Sequence, residues 1–215
     1  MQVKTKICGV NTTAAASESV RGGANFIGFV FYPPSPRYVT AKKAAEISTH
    51  IPPNITNVGV FVNPEDDELD LITNSVSLSM IQLHGSESPE RVSEIRTHTG
   101  LSVMKAISIE TEEELDQIDN FNLVADWLLF DAKPNRNISS AMPGGNAISF
   151  DWNLLKNYSG DLPWMLSGGL NDKNVAEAVK ITKAYHVDVS SGVEYVPGSK
   201  SQQKIRSFLD ATRLL

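Results

Sequence analysis

Short β-like runs alternate with helical segments along almost the whole chain, and this alternation limits the fold more than any other feature. Strand-like runs fall at 3–8, 25–31, 57–62, 80–84, 102–109, 127–131, 164–167 and 186–190. The first helix is Ala-rich, with Asn11 as its predicted cap and Gly22-Gly23 as its stop. Further helices are predicted over 41–50 behind Thr40, over 64–76, from Ser88-Pro89-Glu90 to 97, and over 110–121, 150–158, 171–182 and 202–215. Strands that alternate with helices pair in parallel through right-handed crossovers. About eight units of roughly 27 residues suit a (β/α)₈ barrel, a TIM barrel, near its lower size limit. An open doubly wound sheet is the competing α/β fold, but its GxGxxG fingerprint does not follow the first strand.

At 215 residues the chain suits one domain, 1–215, with little room for a second. Acids exceed bases by 25 − 19 = 6, so no basic face for nucleic acid is expected. Neither a membrane-length apolar run nor a signal-peptide core is present, and a cytoplasmic protein is expected. The single cysteine excludes an internal disulfide. None of the four histidines lies in an HExxH or HxH pattern, so no metal site is assigned. A GxSxG elbow and a Walker A loop are both absent. Oligomeric state is open, with a monomer as the starting assumption.

In a parallel barrel, chemistry belongs at the C-terminal ends of the strands. The first strand ends in Ile7-Cys8-Gly9, and period two puts Lys4, Lys6 and Cys8 on one face. Cys8 is either a small buried hydrophobe or a thiolate base or nucleophile at the mouth; the thiolate needs a lowered pKa, from a nearby cation or a helix N-terminus. The sixth strand, Trp127-Leu128-Leu129-Phe130-Asp131, closes an apolar run with a carboxylate. Asp131 is either a backbone cap or an acid tuned by apolar surroundings. Arg37 lies in the proline-stiffened loop Tyr32-Pro33-Pro34-Ser35-Pro36-Arg37-Tyr38, as a solvated arginine or an anion clamp. Gln82 and His84 share a face, which makes His84 a hydrogen-bonded strand-end histidine or a pocket-lining imidazole. The last two strands lead into Ser167-Gly168-Gly169-Leu170 and Ser190-Ser191-Gly192-Val193, where barrels commonly bind phosphate. A short helix is expected from Ser191, ending near Pro197-Gly198. Asp188 is placed to pair with Lys6 across the barrel closure.

These motifs, with Lys6-Ile7-Cys8-Gly9, Ser35-Pro36-Arg37, Val58-Gly59-Val60-Phe61, Gln82-Leu83-His84-Gly85, Phe130-Asp131-Ala132, Phe150-Asp151-Trp152 and Asp188 through Glu194, occur in one order along nearly the whole chain. The set resembles the phosphoribosylanthranilate isomerase family of tryptophan biosynthesis. The resemblance implies a (β/α)₈ barrel and an Amadori rearrangement of N-(5-phosphoribosyl)anthranilate to the carboxyphenylamino-deoxyribulose phosphate. It implies Cys8 as base and Asp131 as acid, with neither metal nor organic cofactor. Arg37 would hold the anthranilate carboxylate and His84 would line the aromatic side. Gly168, Gly169, Ser190, Ser191 and Gly192 would hold the phosphate of this small phosphosugar, with Asp188 nearby. Gly144 and Gly145 would belong to the sixth loop. The chain departs from the family pattern at Asn146-Ala147, where Thr-Gly is usual, and at Pro197-Gly198-Ser199-Lys200-Ser201, where many relatives carry Lys-Asp after the glycine. Two other readings are an indole-glycerol-phosphate-synthase-like barrel, for which Lys105 is the one lysine near a strand end, and a non-catalytic phosphosugar binder.

Overall fold

The computed structural model describes residues 2–133 and 149–215. The loop glycines Gly144 and Gly145 lie outside the described residues, as do Asn146 and Ala147. Eight parallel strands form a closed barrel in chain order: β1 (Lys4–Cys8), β2 (Phe26–Val30), β3 (Thr56–Phe61), β4 (Met80–Leu83), β5 (Ser102–Ile109), β6 (Trp127–Ala132), β7 (Trp164–Leu166) and β8 (His186–Val189). Closure comes from β8 pairing back onto β1, with Lys4 opposite His186 and Lys6 opposite Asp188. Helices α1 (Thr13–Gly22), α2 (Ala41–Ser48), α3 (Asp66–Ser75), α4 (Pro89–Thr99), α5 (Val175–Thr182) and α6 (Gln202–Arg213) lie outside it. No helix among the described residues is long and apolar enough to cross a membrane.

Alternation along the strands builds two apolar regions. Phe26, Val58, Met80, Met104, Ala106, Leu129 and Met165 meet inside the cylinder and fill its lower half. The intervening residues, such as Ile7, Ile27, Phe29, Ile81 and Val103, face the helices and form the larger core. Above the inner apolar layer the barrel turns polar. Lys6, Gln82, Asp131, Ser167 and Asp188 are all buried there, and burial of such groups is tolerable only with partners.

The element boundaries follow local chemistry. Thr12, not Asn11, caps α1 by accepting from Ala15 N, and Gly23 ends it at φ 86°. The side chains of Thr40, Ser88 and Ser201 cap α2, α4 and α6 in the same way. Residues 112–121 form a 3₁₀ helix in place of the expected α-helix. Its apolar side chains Leu115, Ile118 and Phe121 recur every third residue, which matches three residues per turn. Within 150–158 only Trp152–Leu155 is helical, as a single 3₁₀ turn behind Asp151. The segment after β8 also differs from expectation. A 3₁₀ turn at Ser191–Val193 gives way to an antiparallel hairpin, β9 (Glu194–Val196) with β10 (Ser199–Lys200). Pro197-Gly198 makes its turn, with Gly198 at φ 83° as the second central position of a type II turn requires.

Candidate active site

Cys8 ends β1 and is 7% exposed, packed beside Val30, Val60 and Tyr32 at the barrel mouth. Burial pushes its thiol above the ordinary range; the Lys6 and Lys200 ammonium groups act against burial, and Asp188 adds to it. The condition attached to a cysteine base is therefore not met by the resting site alone. Lys6 is fully buried and bonds Asp188 Oδ1 at 3.0 Å. Burial disfavours its charge, but Asp188 and Cys8 outweigh burial and hold Lys6 above its ordinary value. Ser167 Oγ donates to the other Asp188 oxygen at 3.1 Å. One carboxylate thus ties β1, β7 and β8 together, and the pairing of Asp188 with Lys6 expected from the strand register is present.

Asp131 makes a local backbone bond and also faces His84. Its Oδ1 accepts from Ala132 N at 2.9 Å, a local backbone bond. Its Oδ2 stands 3.2 Å from His84 Nε2, although the angle there is not that of a hydrogen bond. His84 Nδ1 is 2.8 Å from the Gln82 side-chain amide, so Gln82 orients the ring that faces the acid. Period two in β4 brings Gln82 and His84 to the same face, as the sequence indicated.

Arg37 is 5% exposed and is not a solvated arginine. Its Nε and one terminal nitrogen each reach Glu194 at 2.9 Å, a fork-on-fork pair that joins the second loop to β9. Its methylenes cross Gly9, where an added Cβ would lie 2.7 Å from Arg37 Cδ. The guanidinium is therefore held beside the Cys8 end of β1. Glu194 also accepts from Lys200 Nζ at 2.7 Å and from Gly198 N at 3.3 Å. Burial would raise this carboxyl, but Lys200 and Arg37 outweigh burial and hold it below its ordinary value.

The two glycine-bearing turns after β7 and β8 touch each other. Gly168 and Gly169 have φ of 85° and 64°, left-handed values that suit glycine. A Cβ on Gly192 would lie 2.0 Å from Leu170 O, so only glycine lets these turns meet. Ser190 and Ser191 stand at the same place, but the Ser190 hydroxyl is engaged: it donates to Cys8 O at 3.2 Å and receives Lys200 Nζ at 3.2 Å. Glu194 and Lys200 stand in the sequence only as parts of longer motifs, with no role attached. Their signal was an acid and a base flanking a Pro-Gly turn.

Lys105, the residue a synthase-like reading depends on, faces away from the barrel interior that Met104 and Ala106 line. It packs near Phe121 outside the barrel and bonds Glu87 at 2.7 Å and Gly85 O at 2.8 Å.

Comparison with known proteins agrees with this geometry. The family model described as N-(5'phosphoribosyl)anthranilate (PRA) isomerase matches residues 5–211. An N-(5'-phosphoribosyl)anthranilate isomerase from Paramagnetospirillum magneticum is 50% identical, with 99% of this chain and 98% of that one covered. One from Paracoccus denitrificans is 48% identical, with 97% and 96% covered. The crystal structure of the Thermotoga maritima phosphoribosyl anthranilate isomerase superposes with a TM-score of 0.88 at 36% identity, covering 99% of this chain and 100% of that one. A phosphoribosyl anthranilate isomerase in complex with reduced 1-(o-carboxyphenylamino)-1-deoxyribulose 5-phosphate matches with a TM-score of 0.85 at 35% identity, over 99% of this chain and 100% of that one. With its closed barrel, its full-length match and its motifs in order, this chain belongs to the N-(5'-phosphoribosyl)anthranilate isomerase family.

Proposed function

We propose that this chain catalyses the Amadori rearrangement of N-(5-phosphoribosyl)anthranilate in tryptophan biosynthesis, with Asp131 as general acid and Cys8 as general base. Protonated Asp131 gives its proton to the furanose ring oxygen as the C1–O bond breaks. The anthranilate nitrogen supplies the electron pair, and the open chain is an iminium. The Cys8 thiolate then takes the proton from the neighbouring sugar carbon, and the C–H electrons form the enolamine. Tautomerisation moves the enol proton to C1 and leaves the ketone. Each proton has a donor and an acceptor, so the scheme needs neither a metal nor an organic cofactor.

The observation that carries this reading is the position of the two groups. Cys8 closes β1 and Asp131 is the last residue but one of β6, both buried at one rim of the cylinder, with β7 and β8 between them on the short side. A thiol raised by burial stays protonated at rest, so little thiolate is present. The iminium brings a positive charge to the thiol at the step that needs the thiolate, which favours ionisation then. Arg37, pre-set by Glu194, suits the anthranilate carboxylate, and His84 lies on the Asp131 side of the mouth. Backbone amides of Gly168, Gly169, Ser191 and Gly192, together with Ser190, are assigned to the phosphate, near Asp188. Gly144 and Gly145, outside the described residues, are assigned to the sixth loop. The cytoplasm, where this pathway supplies its substrate, is the assigned location.

The test is turnover of Cys8→Ser and Asp131→Asn, followed by anthranilate fluorescence. Each should lose about two to four orders of magnitude in kcat while still binding a product analogue. Near-normal turnover in both variants would overturn the assignment.

A further inference from the structure

Lys200 is a buried cation to which the scheme above gives no task. It stands on β10, far along the chain from Cys8, yet two hydrogen bonds connect them. Its Nζ donates to Ser190 O at 2.9 Å and contacts Ser190 Oγ at 3.2 Å, and that hydroxyl donates to Cys8 O at 3.2 Å. Its third contact, Glu194 Oε1 at 2.7 Å, fixes the ammonium from the far side. The side chain is 1% exposed, so water screens its field poorly. Lys6 approaches the same thiol from within β1: a Cβ on Gly28 would lie 3.0 Å from Cys8 Sγ and 3.3 Å from Lys6 Cε. The charge of Lys6 is matched directly by Asp188, and that of Lys200 by Glu194, which Arg37 already engages.

We propose that Lys200 is a positioning residue for the reaction: its ammonium, anchored by Ser190 and Glu194, stabilises the Cys8 thiolate from the β10 side. The proposal deepens the assignment of Cys8 as base and rests on it for its catalytic meaning. The charged groups around the thiol are Lys6 on β1, Asp188 on β8 and Lys200 on β10, with Arg37 and Glu194 behind Lys200; Gly28, from β2, adds none. Asp188 opposes ionisation, and Lys6 and Lys200 favour it. Burial lowers Lys200 from its ordinary value, whereas Glu194 and Cys8 support its charge. Glu194 therefore does two things at once, holding the Arg37 fork and keeping Lys200 protonated.

Because the chain has one cysteine, alkylation by iodoacetamide reports on Cys8 alone. The experiment measures alkylation rate against pH for the full chain, for Lys200→Met and for Lys200→Gln. The Gln variant keeps a donor toward Ser190 and Glu194, so it remains informative if the Met variant folds poorly. Lys204→Met, which removes a charge from the start of α6, is the control for net charge. Both Lys200 variants should shift the profile upward by about one pH unit, a tenfold slower reaction on the acid side, and Lys204→Met should not. The acid limb of the kcat/KM profile should move by the same amount. An unmoved alkylation profile in a folded Lys200 variant overturns the proposal, as does a rise in KM with both profiles in place. Failure of the base assignment looks different: Cys8→Ser would stay active while the alkylation profile still shifted.

Discussion

The thiol at the mouth has its room because one neighbouring side chain is missing. Gly28 shows this at the level of one residue. It has no side chain where Cys8 Sγ and Lys6 Cε converge, and a methyl there would sit 3.0 Å and 3.3 Å from them. Gly28→Ala should leave the barrel folded but displace the thiol, lowering kcat about tenfold or more, since small misplacements of a reacting group are costly. Steady-state kinetics with a thermal melt checks this; unchanged kcat would show that the thiol tolerates displacement. The sequence placed Cys8 and Asp131 at strand ends and predicted the Lys6–Asp188 pairing, because period two and parallel register fix which side chains meet. It left Arg37 with two readings because its partner, Glu194, lies 157 positions away, and no local pattern carries that distance. The direction of the Cys8 shift was equally out of reach, since burial, the nearby Lys6 and the distant Asp188 and Lys200 set it together.

Single elements follow their own chemistry, and capping is the clearest example. Ser88 accepts from Arg91 N at 3.3 Å at the start of α4, with Pro89 in the first turn. Ser88→Ala should cost about 1 kcal/mol and lower the melting temperature by roughly 2–4 °C, with activity unchanged. Differential scanning calorimetry alongside an activity assay tests it, and a loss of turnover would tie this cap to the site. The strands were the most legible elements: β5 spans the residues read from the sequence, and the others differ by a residue or two at their ends. Helical type was less legible. Residues 112–121 carry the polar composition of a solvated helix, but their threefold apolar spacing, not their composition, chose the tighter coil. The hairpin after β8 was missed because Pro-Gly ends a helix and turns a hairpin equally well, and the choice between them came from Glu194 being drawn to Arg37 and Lys200.

The whole molecule is closed by contacts between its two ends. Lys6 meets Asp188, Thr5 Oγ1 meets Thr212 Oγ1 at 3.0 Å, and buried Glu18 on α1 receives Arg206 of α6 at 2.9 Å. Glu194 adds a fourth such contact by receiving Arg37. Its carboxyl is held below its ordinary value of 4.5, so the charged form is the one the fold stabilises. That contribution is fully present above the unfolded value and disappears as pH falls through the folded one. Glu194→Gln should thus cost roughly 3 kcal/mol near neutral pH, because it leaves Arg37 and Lys200 buried without their counter-ion. The gap in melting temperature between wild type and variant should narrow as pH drops below about 4.5. A gap that stays constant down to pH 3 would show that the pair acts through shape and not through charge.

Cys8 ends β1, whereas Lys200 stands on β10, beyond the whole eight-stranded barrel in chain order. The two become neighbours only once the cylinder has closed. Until then the thiol lacks Lys200 and the cover of its neighbours, and a half-made cylinder would carry an ordinary, exposed cysteine that alkylates faster than the buried one, whose thiol is pushed above the ordinary range. Slow reaction of this one sulfur is therefore a built-in signal that closure is complete.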